Sequence, residues 1–120
     1  MGEKGFRELK VWQRAKDLAV YVCKVTNSGA FSKDFGLRDQ IRRAAISIAS
    51  NIAEGDERDT NKDSVRFLYI SKGSLAELLT QIIISKEIGY LSDEEFEYIS
   101  EECEMVGKML GKLIKARSCL

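Results

Sequence analysis

The chain has 120 residues, 44% apolar and 32% charged, with no proline and no histidine; this is the balance of a single globular domain, residues 1–120, long enough to bury one core. Its formal net charge is zero, which argues against a general polyanion binder, and the lack of histidine removes the commonest general base and the commonest transition-metal ligand. No window nears the roughly 18 uninterrupted apolar residues of a membrane span and no apolar signal core follows Met1-Gly2-Glu3-Lys4-Gly5, so cytoplasmic residence and no membrane partner are expected.

The first helix is expected over about 9–26, where Val11, Trp12, Ala15, Leu18, Ala19, Val22 and Val25 form one broad apolar face. Asn27, Ser28, Gly29, Ser32 and Gly36 mark a loop, with Phe31 and Phe35 expected as lids on the end of the fold. The second helix is expected over about 37–55. Leu37, Ile41, Ala44, Ala45, Ile48 and Ile52 make its inner face, and Gly55 is expected to end it. Asp39, Gln40, Arg43, Ser47, Ser50, Asn51 and Glu54 fall on the far face, and Ile46, Ala49 and Ala53 form a third, small apolar stripe. A surface helix normally has one apolar face and long charged residues elsewhere. Here the side chains are short, so a neighbour can come close on more than one side.

After a polar connection in which Thr60 or Asn61 can cap, the third helix is expected over about 62–88. Val65, Leu68, Leu75, Ala76, Leu79, Ile82 and Ile83 line one side, and Phe67, Ile70, Leu78 and Ile84 lie elsewhere on the circumference. A helix apolar nearly all round is buried on more than one side. Lys72 falls near the middle of that stripe, either with its stem packed and its ammonium snorkelling out or in a buried ion pair. Gly89-Tyr90-Leu91 closes the helix, and Ser92 with Glu95 forms a capping box for the fourth, expected over about 92–117. There Phe96, Ile99, Cys103, Val106, Leu110 and Leu113 step by 3-4-3-4-3, a seam suited to bundle packing. Tyr98, Met105 and Met109 make a second stripe, and Gly107 and Gly111 are placed to admit a neighbouring helix. The fold class that follows is all-α, an up-down-up-down antiparallel four-helix bundle. Its expected core includes Trp12, Leu18, Ile41, Ile48, Leu68, Leu75, Leu79, Ile99, Val106 and Leu110.

Catalytic chemistry is hard to assemble from these residues, and no catalytic, cofactor-binding or metal-ligating residue is assigned. Cys23, Cys103 and Cys119 lack metal-ligand spacing. The first two are expected to be buried as small hydrophobes, and Cys119 to be exposed. Gly107 to Lys112 fails the phosphate-loop pattern in spacing and context. Asn51 and Glu54 could be imagined as a catalytic pair, but capping or interhelical hydrogen bonding is the simpler role. From Asp93 to Glu104 there are seven acids and no base; a solvated face explains them better than a divalent cation. Charge is also split between halves: residues 1–50 hold ten Lys/Arg and five Asp/Glu, and residues 51–120 hold nine and fourteen. Two uses of this surface stand open. Arg7, Lys10, Arg14, Arg38, Arg42 and Arg43 are candidate nucleic-acid contacts, or the arginines of the second helix pair with the acidic fourth helix of a neighbouring copy.

Arg42-Arg43-Ala44-Ala45, Ser47 and Ser50-Asn51-Ile52-Ala53-Glu54-Gly55 carry a family resemblance. So do Leu9-Lys10-Val11-Trp12-Gln13 with Ala15, Phe67-Leu68, Gly73-Ser74-Leu75-Ala76-Glu77-Leu78 and Gly89-Tyr90-Leu91. Together, and in this order over roughly the whole chain, they resemble the 23S rRNA intervening-sequence protein family of four-helix bundle proteins. Two places depart from the family pattern. Phe31-Ser32 stands where Phe-Pro is usual, and Ala49 stands where proline often precedes the Ser-Asn pair, which should leave the second helix straighter. The resemblance implies a homopentameric ring and an association with RNA. It extends to the accessory variability determinant proteins of diversity-generating retroelements, barrel-like pentamers that bind nucleic acid and a reverse transcriptase. On this footing Ile46, Ala49 and Ala53, with Tyr98, Met105 and Met109, are the expected oligomer interface. The partners implied are copies of the chain itself, RNA, or a nucleic-acid-processing protein. The alternative is a structural adaptor whose oligomer binds a protein partner without nucleic acid.

Overall fold

A computed structural model describes residues 5–118. Four helices carry the chain: α1 over Lys10–Val25, α2 over Phe35–Asp56, α3 over Asn61–Glu87 and α4 over Asp93–Ser118. Short 3-10 turns at Gly5–Glu8 and Gly29–Lys33 lead into α1 and α2.

The helix ends follow from local hydrogen bonding. Thr60 Oγ1 accepts from the Asp63 amide at 3.1 Å. Ser92 and Glu95 cap reciprocally, the Ser92 amide donating to Glu95 Oε1 at 2.9 Å and the Glu95 amide to Ser92 Oγ at 3.1 Å. α2 starts two residues earlier than the apolar periodicity suggests because Asp34 accepts from the Leu37 amide at 3.2 Å. The same carboxylate accepts from the Tyr90 hydroxyl at 3.0 Å, tying the α3–α4 turn to the start of α2 and raising the Tyr90 pKa.

Gly55 does not end its helix. The left-handed glycine that closes a helix is Gly89, at φ +86° after α3. Gly55 is buried inside α2, where a Cβ would lie 3.0 Å from the Ser64 carbonyl oxygen and 3.3 Å from Phe67 Cβ. A glycine is needed here for the approach of α3, not for backbone freedom. Gly55→Ala should therefore lower stability by about 1–3 kcal/mol through overpacking, despite the better helix propensity of alanine. Urea unfolding checks this, and a more stable variant would mean that the turn opens at little cost.

α1 packs on α2 and α4, and α3 packs on the same two, so α1 and α3 occupy opposite corners. Arg42 near the start of α2 donates to Thr26 Oγ1 at 2.8 Å and to the Cys23 carbonyl at 3.3 Å at the end of α1. Lys86 at the end of α3 meets Asp93 at the start of α4 at 2.7 Å. Arg117 near the end of α4 reaches Asp56 at 2.7 Å and Ser64 at 2.6 Å at the α2–α3 turn. These contacts tie the ends of neighbouring helices together, and the body measures 45 × 20 × 20 Å.

Leu18, Ile41, Ile48, Leu68, Leu75, Ile99, Val106 and Leu110 are buried as the periodicity predicts. Trp12 is only partly buried and meets Phe6 edge-on at 5.1 Å. Phe31 is a buried lid against Tyr90, whereas Phe35 is exposed with the Arg38 guanidinium 4.8 Å from its ring centre. Gly107 receives the Leu75 side chain, a Cβ there lying 3.3 Å from Leu75 Cδ2, while Gly111 faces open space.

The phase of α3 needs the largest correction. Its buried seam is Ser64, Leu68, Ser71, Leu75, Leu78, Ile82 and Ser85, in 4-3-4-3-4-3 steps. Leu78 is fully buried and Leu79 is 37% exposed, the reverse of the expectation; Lys72, Ala76 and Ile83 are also exposed. Three serines sit on the inner seam, so a count of apolar residues drifts to its flank. Each hydroxyl is satisfied: Ser71 Oγ donates to the Ile48 carbonyl at 2.7 Å, Ser85 Oγ to the Gln81 carbonyl at 2.8 Å, and Ser64 Oγ accepts from Arg117. Lys72 therefore neither snorkels nor pairs inside the core. No 18-residue apolar window is uninterrupted in α3, which carries Lys72 and Glu77. Its mean hydropathy reaches 1.3 over an 18-residue window, a length and composition that a membrane span shares with the core helix of a bundle.

Candidate functional site

Side chains of α1 and α2 diverge enough to leave an apolar groove of about 750 Å³ between the two helices. Ala19 and Val20 of α1 and Ile46, Ala49 and Ala53 of α2 line it, with Phe6 and Trp12 toward one end. Lys16, Lys24 and Arg42 also border it. The small stripe of α2 thus opens onto this groove. Its members differ in role: Ile46 is 49% exposed, whereas Ala49 is 8% exposed and belongs to the core. A long charge at Ala49 would strain the bundle itself, so Ile46 is the position that probes the surface.

The second stripe expected at an interface is divided between surface and core, with Tyr98 and Met105 exposed and Met109 partly buried. The Tyr98 ring meets that of Tyr21 at a tilt of 46° with centres 4.4 Å apart but stays exposed, and Met109 packs against the core. The most apolar free surface lies instead on α3. Tyr69, Gly73, Ala76, Thr80, Ile83 and Ile84 are all exposed there. The signal was present in the sequence, since α3 is apolar nearly all round and the bundle covers only the side toward α2 and α4.

The six candidate cations separate into two groups. α1 spans about 24 Å, so Arg7 and Lys10 near its start sit at the opposite end of the bundle from Arg38, Arg42 and Arg43. Arg14 is held by Glu102 of α4 through two hydrogen bonds of 3.0 and 3.2 Å. Arg38 lies on Phe35 and pairs with Asp39 at 3.3 Å. Arg42 is bound to the end of α1, where it satisfies the Cys23 carbonyl. Arg43 is exposed and has no ion-pair partner among the described residues. It borders a polar dent of about 340 Å³ shared with Gln40, Ser47, Ser74, Glu77 and Gln81. Asn51 stiffens the wall of this region: its Nδ2 donates to the Ser47 carbonyl and to Ser47 Oγ, both at 2.9 Å, and Ser47 Oγ meets Ser74 Oγ at 2.9 Å. Glu54 pairs with Arg58. Asn51 and Glu54 thus bond locally, to residues four away, instead of capping or reaching another helix as expected; the interhelical bond here is Ser47 to Ser74.

α4 is electrically two-ended. Its first half holds the seven acids, and Met105 to Ser118 holds Lys108, Lys112, Lys115 and Arg117 with no acid. The basic half runs to the same end of the bundle as Arg7 and Lys10, and Lys10, Lys112 and Lys115 carry no ion pair among the described residues. This basic half of α4 was missed because the acidic run masks it in any average over the helix.

The thiols divide as well. Cys103 is buried and its pKa is pushed up to about 12, chiefly by desolvation and then by Glu102. It stays protonated and unreactive at neutral pH. Cys23 is not buried as expected; it is partly exposed and lines the groove. Cys119 lies outside the described residues. No group of three His, Cys, Asp or Glu gathers as a metal site among the described residues.

A family model described as 23S rRNA-intervening sequence protein matches residues 7–112. The chain is also similar to a crystal structure of a protein with unknown function from the S23 ribosomal protein family of Bacteroides thetaiotaomicron. The two are 24% identical with a TM-score of 0.81, over 88% of this chain and 98% of that one. At this identity the likeness carries the fold alone. No curated protein matches the chain.

Proposed function

The chain belongs to the 23S rRNA-intervening sequence protein family, and from this premise we propose that it is a non-enzymatic bundle that assembles with copies of itself and associates with structured RNA in the cytoplasm. A ring of five is our reading of the assembly. The observation that carries the proposal is the outer face of α3, where aromatic, aliphatic and small residues from Tyr69 to Ile84 stand exposed. An apolar surface of this extent on a small domain supports a protein contact. The RNA role draws on the family and on the cationic end formed by Arg7, Lys10, Lys112 and Lys115. One neutral chain offers few phosphate contacts; a symmetric ring repeats them and raises avidity.

A titration with structured RNA at several salt concentrations tests this role. Lys10→Gln, Lys112→Gln and Lys115→Gln combined should weaken binding and make the slope of log affinity against log salt shallower by about 2, for three lost phosphate contacts. Arg42 is left unchanged because its loss would free the end of α1. An unchanged slope would remove these lysines from the interface. No binding by the wild type at low salt would favour the second reading, an adaptor oligomer for a protein partner. That reading is supported by Arg14 being occupied by Glu102 and by Arg43 sharing its dent with Glu77.

A further inference from the structure

We propose that the outer face of α3 in one copy seats in the α1–α2 groove of a second copy; this rests on the self-assembly reading above. α3 carries two seams of the same spacing. The inner one, from Ser64 to Ser85, is consumed by the bundle. The outer one, Tyr69, Gly73, Ala76, Thr80 and Ile83, repeats the 4-3-4-3 step and bears no charge. That spacing is the one a helix presents to another helix crossing at about +20°.

The groove is the matching element. It is apolar, it is walled by two helices, and its floor of Ala19, Ala49 and Ala53 lets a third helix approach closely. Charge agrees with shape. Lys16 and Lys24 border the groove, and Lys24 has no ion-pair partner among the described residues. Beside the outer seam stands Glu77 on one flank and Lys72 on the other, both exposed and without ion-pair partners among the described residues. Apolar strip therefore meets apolar channel, with Glu77 available to face Lys24 along one border. Because α1 and α3 occupy opposite corners, a chain cannot fill its own groove with its own seam. The two surfaces differ, so the contact is head to tail, and each copy keeps one free surface until a ring closes.

The test uses one substitution on each surface, both at half-exposed positions that the bundle tolerates: Ile46→Glu in the groove and Ile83→Glu on the seam. Each variant should keep wild-type helicity by circular dichroism and be monomeric by light scattering. Mixed in equal amounts they should form a dimer and nothing larger, since one retains an intact seam and the other an intact groove. Cys23 lies in the groove, so its alkylation by a maleimide, followed by peptide mass, should be several-fold slower in the wild type than in Ile83→Glu. An oligomeric wild type whose two variants keep its mass would overturn this placement. So would loss of assembly in Ile83→Glu alone, which indicates seam-to-seam contact, or two monomeric variants that form no mixed dimer. Equal Cys23 reactivity in the wild-type oligomer and the Ile83→Glu monomer would overturn it too. A monomeric wild type would instead remove the self-assembly reading on which it rests.

Discussion

Leu78→Ala is expected to lower the unfolding free energy by about 2–5 kcal/mol, and Leu79→Ala by less than about 1 kcal/mol. The two leucines are neighbours with the same chemistry, so the contrast isolates the phase of α3. Leu78 is fully buried on the inner seam between Leu75 and Ile82, where truncation leaves a cavity lined by α2 and α4. Leu79 points to the flank at 37% exposure and loses little on truncation. Urea unfolding of both variants, with the slope unchanged, measures the difference. Equal losses, or a larger one at Leu79, would rotate α3 and take the outer seam with it.

Removing either partner of the Arg117–Asp56 pair is expected to cost about 3–5 kcal/mol, with Arg117→Ala the worse of the two. The Asp56 side chain is 3% exposed and that of Arg117 is 12% exposed. Without Arg117 the carboxylate is left in the α2–α3 turn with no counter-charge, and Ser64 loses its donor. Without Asp56 the guanidinium can swing out from the last turn of α4 into water, which limits the damage. A double-mutant cycle reads the coupling directly. Losses under about 0.5 kcal/mol from both single changes would show that the clasp does not hold the end of α4.

Much of the fold was legible because local signals agreed. The seams of α1 and α4, the Thr60 cap and the Ser92–Glu95 box each point to the same element ends found in the structure. The failures share one physical cause, which is that burial depends on partners the sequence does not align. Ser64, Ser71 and Ser85 are polar by composition yet buried, because their hydroxyls find carbonyl or guanidinium partners and their small size lets helices meet. Gly55 read as a terminator because its need comes from Ser64 and Phe67 across the turn. Arg42 read as a free cation because the end of α1 that it satisfies lies 16 residues away. The surfaces were legible only in part. Ile46, Ala49 and Ala53 were recognised as a separate stripe, but their groove needs Ala19, Val20 and Cys23 from α1 to exist. The apolar excess of α3 was visible as well, though which side remained free depended on the serines.

Light scattering on the full chain at tens of micromolar tests the central claim, that the exposed face of α3 is covered by another copy. A single species with the mass of several chains, five in the proposed ring, is the predicted result. The mass of one chain would contradict it.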